Sequence, residues 1–167
     1  MKIWILLFLI LAAIYDFRSY KIPNWLNGTG ACITLIFAGI YGIKIQEMTA
    51  GVLIVLVCCG LLFYIGCLGG GDVKLLMVCG ISIGWDTPRF LILSFICNGI
   101  YAVIFLWKRK NFHLRFIRLF QYVTQCINNK RLLVYETGEE ESMKEGIIHF
   151  SFGILVAYII YLSGGVV

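Results

Sequence analysis

Two aspartates stand where an apolar chain has least use for a charge. Asp16 closes the apolar run that begins near Ile3, in the stretch IYDFRSYKIPN (residues 14–24), and Asp72 follows three glycines in GCLGGGDVKLL (residues 66–76). A carboxylate costs about 2.5–3.5 kcal/mol at the centre of a bilayer, and less near its edge. The chain has only nine acidic residues, and the other seven fall in loops or at outer helix ends, where they need no special account. Two carboxyls brought within about 3 Å of each other cannot both ionise readily and so share a proton near neutral pH. One can then take a proton from water while the other donates to a carbonyl oxygen. That is the chemistry of peptide hydrolysis without a metal or a covalent intermediate. The titration belongs to the pair, so neither acid has a fixed role.

Each stretch also has a plain structural use. Gly69, Gly70 and Gly71 permit positive φ and the close approach of another backbone, beside which an extended substrate could lie. The GxxxxGK[ST] spacing of a phosphate-binding loop is missing. Asp72 could simply be the N-cap of the following helix. In KIPN, Pro23 would stop one helix and Asn24 cap the next, with Arg18 and Lys21 as topological charges. What separates the readings is whether the two acids meet.

The elements that would position them are membrane helices. Of the 167 residues, 60% are hydrophobic and 14% charged, against roughly 45–50% and about 25% in soluble domains. The apolar runs lack the alternation of barrel strands, and open sheets do not survive in lipid. The expected fold is all-α and polytopic: one membrane-embedded domain over 1–167, with about six transmembrane helices near 3–16, 25–43, 48–68, 74–85, 90–107 and 146–163, the fourth being short. No small-residue cleavage pattern follows the first run, so it reads as a retained span and not a signal peptide. The segment 108–145 reads as a cytosolic loop. Within it, Phe112, Phe116, Leu119, Phe120, Val123 and Ile127 recur at helical spacing with His113, Arg115 and Arg118 between them, which predicts an interfacial amphipathic helix over 112–127 lying on anionic lipid. The seven cysteines form no CxxC pair and mostly sit in apolar runs as small hydrophobes. No metal, cofactor or nucleic-acid partner is expected.

Basic residues set the orientation. With 17–24, 69–74 and 108–145 on one side, that side holds Arg18, Lys21, Lys74, Lys108, Arg109, Lys110, Arg115, Arg118, Lys130, Arg131 and Lys144, and the other only Lys2, Lys44 and Arg89. Eleven against three makes the first side cytosolic and puts both termini outside. Asp16 ends the first span and Asp72 follows the third, so two crossings return the chain to the same face. Both acids are therefore expected at the cytosolic edge, in contact if the first and fourth spans pack together.

Taken together, the stretches resemble the type IV prepilin peptidases, membrane aspartyl proteases of the GxGD kind. That family carries an aspartate followed by a basic residue and IPN, here Asp16, Arg18, Ile22, Pro23 and Asn24. Its second motif, GxGDxK, is matched by Gly69, Gly71, Asp72 and Lys74. The segment IIHFSFGILVAYII is loosely similar to the family's last hydrophobic segment, without the prolines often found there. The resemblance implies that Asp16 and Asp72 form a catalytic dyad, that Gly69 and Gly71 shape the loop, and that Lys74, with Arg18, Pro23 and Asn24, contacts substrate or shapes the site. It also implies prepilin or pseudopilin substrates, whose basic leader is cut at the cytosolic face of the cell membrane. Larger members carry an N-terminal region and often a zinc-binding loop with paired CxxC, and they N-methylate the new terminus. This chain resembles the short branch, for which cleavage without methylation is the expectation. Two other readings stay open: a GxGD protease of the presenilin and signal peptide peptidase kind, against which the IPN context argues, and a small transporter or assembly subunit whose acids bind a proton or cation.

Overall fold

A computed structural model describes residues 1–108 and 149–164; the expected interfacial helix at 112–127 and most of the 108–145 loop lie outside them. Among the described residues there are six α-helices and no strand: α1 (Lys2–Ser19), α2 (Asn24–Ile40), α3 (Ile45–Tyr64), α4 (Gly70–Ile83), α5 (Thr87–Lys108) and α6 (Phe150–Ser163), with a 3-10 turn at Gly84–Asp86 between α4 and α5. The chain divides into two compact units, Met1–Asn98 with His149–Val167, and Gly99–Ile148.

Glycines set several helix ends. The apolar runs predict helices to residues 43 and 68, yet α2 stops at Ile40 and α3 at Tyr64. In each case a glycine in the left-handed region follows, Gly42 at φ 66° and Gly66 at φ 82°. Behind them Ile43 N–H reaches Ala38 O at 2.9 Å and Cys67 N–H reaches Leu62 O at 2.9 Å. Both are the Schellman closure, which satisfies carbonyls that a helix end leaves bare. A third such glycine, Gly84 at φ 66°, ends α4 after 14 residues. Thr87 Oγ1 then donates to Gly84 O at 2.6 Å, holding the turn from which α5 departs.

Small residues let the helices approach. A Cβ on Gly51 of α3 would lie 2.1 Å from Gly80 O of α4, and one on Gly80 2.8 Å from Gly51 O, so the two backbones touch where any larger residue would separate them. Gly30 of α2 receives the ring of Phe8 from α1 in the same manner. The pairing of early α3 with late α4 makes these helices antiparallel. α1 and α6 are antiparallel too: Ser151 meets Asp16 at one end and Tyr158 Oη donates to Lys2 O at 3.2 Å at the other. Along α5, Phe90 stacks edge-on against Tyr158, and Phe95 lies against Phe150, so α5 runs opposite to α6. Ile5, Phe8, Leu9, Val55, Leu75, Leu76, Phe90, Ile154 and Tyr158 fill the core.

The outer surface is apolar. Ile45–Tyr64 and the helical run Gly70–Phe105, interrupted at Gly84, are long and apolar enough to cross a membrane, and Phe150–Ser163 is a shorter apolar helix. Only 17% and 22% of the most apolar windows of the two longer ones are buried. A core helix of a soluble protein would hide most of that surface. Here Leu53, Leu56, Val57, Leu61 and Phe63 point outward, an apolar face on the scale that marks contact with membrane or partner.

Candidate active site

The C-terminus of α1 and the N-termini of α2, α4 and α6 meet at one end of this unit, and both sequence stretches lie there. The α1–α2 connection docks directly on the glycine run. Ile22 is buried, and a Cβ on Gly71 would come 3.4 Å from its Cβ and 3.6 Å from its carbonyl oxygen. Asn27, buried in the first turn of α2, donates from Nδ2 to Gly71 O at 3.1 Å. Lys74 Nζ donates to Asn24 Oδ1 at 2.7 Å. The two motifs are thus tied by one packing contact and two hydrogen bonds.

Asp72 sits in the first turn of α4. The N-cap is Gly69, with extended backbone (φ −73°, ψ 142°), and Gly70 and Gly71 are the first two helical residues. Asp72 is therefore not an N-cap. It is the third helical residue, and its carboxylate turns back to accept a hydrogen bond from the Gly69 N–H, one half of a capping box. The glycines do not act through positive φ, which none of the three adopts. Their use is steric. A Cβ on Gly69 would stand 2.9 Å from Asp72 Oδ2, and one on Gly70 3.2 Å from the ring of Phe63.

Asp16 lies in the penultimate turn of α1, 7% exposed. It lies near enough to Asp72 for its charge to be felt there, across the contact of α1 with α4. The helices meet there narrowly; α4 packs chiefly on α3 and α2, and α1 on α6. The backbone around Asp16 is also committed. Tyr20, the only described non-glycine at positive φ (54°), closes α1 by donating its N–H to Asp16 O at 2.9 Å. A left-handed tyrosine costs about 1–2 kcal/mol, and what it gains is position: its ring stacks on His149 at 5.2 Å between centroids.

His149 and Ser151, to which the sequence reading gives no role, complete the surroundings of Asp16. Ser151 Oγ, fully buried, donates to Asp16 Oδ2 at 2.5 Å. His149 Nδ1 lies 3.7 Å from the same oxygen and has no hydrogen-bond partner among the described residues. The imidazole packs on the rings of Phe17, at 4.2 Å, and Tyr20. The available signal was a His-x-Ser pair opening an otherwise apolar helix.

The remaining expected residues are placed as follows. Arg18 is exposed in the last turn of α1, where a cation suits the helix C-terminus, and has no ion pair among the described residues. Pro23 does not stop α1, which Tyr20 already ends; it is the N-cap position of α2. Asn24 does not cap α2. It is the first helical residue and its side chain is given to Lys74.

The sequence model of the type IV leader peptidase family matches residues 3–103, which takes in both aspartates, the IPN stretch and the glycine run. Comparisons with curated proteins and with solved structures returned no match. On the family match, which spans more than half of the sequence, nearly all of α1 and the whole of α2 through α4, the chain belongs to the type IV leader peptidase family.

Proposed function

We propose that the chain is a membrane aspartyl endopeptidase that removes the basic leader of prepilin-like proteins, with Asp16 and Asp72 as its catalytic pair. The observation that carries this reading is the meeting of the two stretches: the connection after Asp16 docks on the glycine run that leads into Asp72, with Asn27 Nδ2 donating to Gly71 O at 3.1 Å and Lys74 Nζ to Asn24 Oδ1 at 2.7 Å, which brings two carboxyls from distant parts of the sequence to one end of the unit. In the reaction, one carboxylate takes a proton from water as the water oxygen bonds to the scissile carbonyl carbon. The other, protonated, gives its proton to the carbonyl oxygen. The tetrahedral intermediate collapses when the acid that accepted the water proton gives it to the leaving nitrogen and the other carboxylate takes back a proton from one of the intermediate's hydroxyls, which breaks the C–N bond and frees both products. The water proton ends on the new amine and the carboxyl pair returns with one proton between them.

The six helices are read as six membrane crossings, with both termini outside and the acids at the cytosolic edge of the cell membrane. The split of eleven basic residues against three supports this orientation. A pilin-like helix lying in the bilayer would present its leader junction at the level of the pair. Gly69 and Gly71 shape the loop, and Lys74 with Asn24 holds the α1–α2 connection against it. The test is co-expression with a prepilin-like protein carrying a basic leader, reading its size. Cleavage by the wild type and none by Asp72→Asn supports the reading. Leaders from several pilin classes left intact beside a well-inserted wild type would remove it.

A further inference from the structure

The first helix supplies Asp16, but α6 holds it. Two interactions converge on one oxygen, Oδ2: the Ser151 hydroxyl at 2.5 Å and the face of His149 that carries the unpartnered Nδ1, at 3.7 Å. Neither is accidental in its packing. Ser151 is 0% exposed and His149 8%, and the imidazole packs against the rings of Phe17 and of Tyr20, the latter in its strained left-handed conformation. A buried imidazole nitrogen without a partner is costly. It lies less than 1 Å beyond hydrogen-bond range of a carboxylate oxygen, so a small shift of either group satisfies it.

We infer that Ser151 and His149 are positioning residues for Asp16, clamping Oδ2 so that the carboxyl is oriented toward Asp72. The inference rests on the leader-peptidase reading for its kinetic consequence and not for its structural content. Ser151 sets the orientation through its hydroxyl. His149 backs the same oxygen with the ring edge that carries Nδ1.

The experiment uses the purified full chain in detergent with a prepilin-like substrate, measuring kcat and KM. Ser151→Ala should lower kcat about tenfold or more with KM little changed, the loss expected for one hydrogen bond to a charged group, and Ser151→Thr should recover most of it. His149→Phe keeps an aromatic ring beside Phe17 and Tyr20 but removes the nitrogen; it should lower kcat. A second readout is independent of turnover. The infrared band of the Asp16 carboxyl, identified by subtraction of the Asp16→Asn spectrum, should shift in Ser151→Ala and His149→Phe and stay in place in Ser151→Thr. If the wild type cleaves, but Ser151→Ala retains its kcat and the band does not move, the clamp is wrong. Ser151→Ala and Ser151→Thr impaired alike would reduce Ser151 to a packing residue and overturn it too. A band that shifts in a wild-type background unable to cleave any leader would keep the clamp and remove the peptidase reading.

Discussion

The two aspartates are held in opposite ways. Asp72 is organised by its own chain: three residues back, Gly69 supplies both the N–H that its carboxylate accepts and the open space that carboxylate occupies. Asp16 is organised by the far end of the sequence, through a serine 135 residues away and a histidine beside it. Backbone donors at a helix start are fixed once the helix forms, and they change little with side-chain identity. A side-chain clamp depends on packing between two helices and can be tuned or lost by single substitutions. One half of the pair is therefore rigid by local geometry and the other adjustable.

The largest effect tests whether the comparison concerns catalysis at all. Asp16→Asn and Asp72→Asn keep shape and remove the proton chemistry, so each should reduce leader cleavage by at least about 1,000-fold, read as uncleaved substrate on a gel, with insertion unchanged. Measurable cleavage by either variant at the wild-type rate ends the dyad reading. Next, Gly69→Ala should break the local half. Its Cβ would stand 2.9 Å from Asp72 Oδ2, pushing the carboxylate off its N–H, and a fall of about 10- to 100-fold in kcat is expected for a misplaced group. Gly71→Ala places its Cβ at ordinary contact distance from Ile22, 3.4 Å, and should lose no more than about threefold. Equal loss at both positions would show that the glycines act through backbone freedom after all. For contrast, Gly80→Leu, remote from the acids, should act on folding alone: it separates α3 from α4 at a cost of about 1–3 kcal/mol, seen as a lower melting temperature in detergent. The smallest effect is at the link between the two stretches. Asn24→Ala and Lys74→Ala should each cost a few-fold in cleavage, and the double variant no more than the stronger single one. Additive losses would mean that the Asn24–Lys74 hydrogen bond is idle.

The same contrast explains what could be read in the sequence. Asp72 and the glycines announce themselves because their relation is local, and the parity of crossings brings Asp16 to the same face by counting alone. All six helices lie at apolar runs; several ends differ from those expected by three or four residues, and the two at Tyr64 and Ile40 fail where Gly66 and Gly42 enter the left-handed region, a choice that apolarity does not encode. Asn24 was misread for a related reason. Its type suits a cap, but a lysine 50 residues on competes for the same oxygen and wins. His149 and Ser151 carry no signal by spacing, because their partner is on another helix. Their only mark is polarity at the mouth of an apolar segment.

The early stop imposed by Gly84 has a consequence for the lipid. With 14 residues, α4 is about 21 Å long at 1.5 Å per residue, whereas the hydrocarbon layer is about 30 Å thick. As a crossing helix it is hydrophobically mismatched, and a mismatch of this sign is relieved by drawing the headgroups inward around the short segment. On the proposed reading, Asp72, at its start, would then lie at the floor of a dimple in the bilayer surface, where water and a charged leader would descend to it while the apolar helix of the substrate stays in oil.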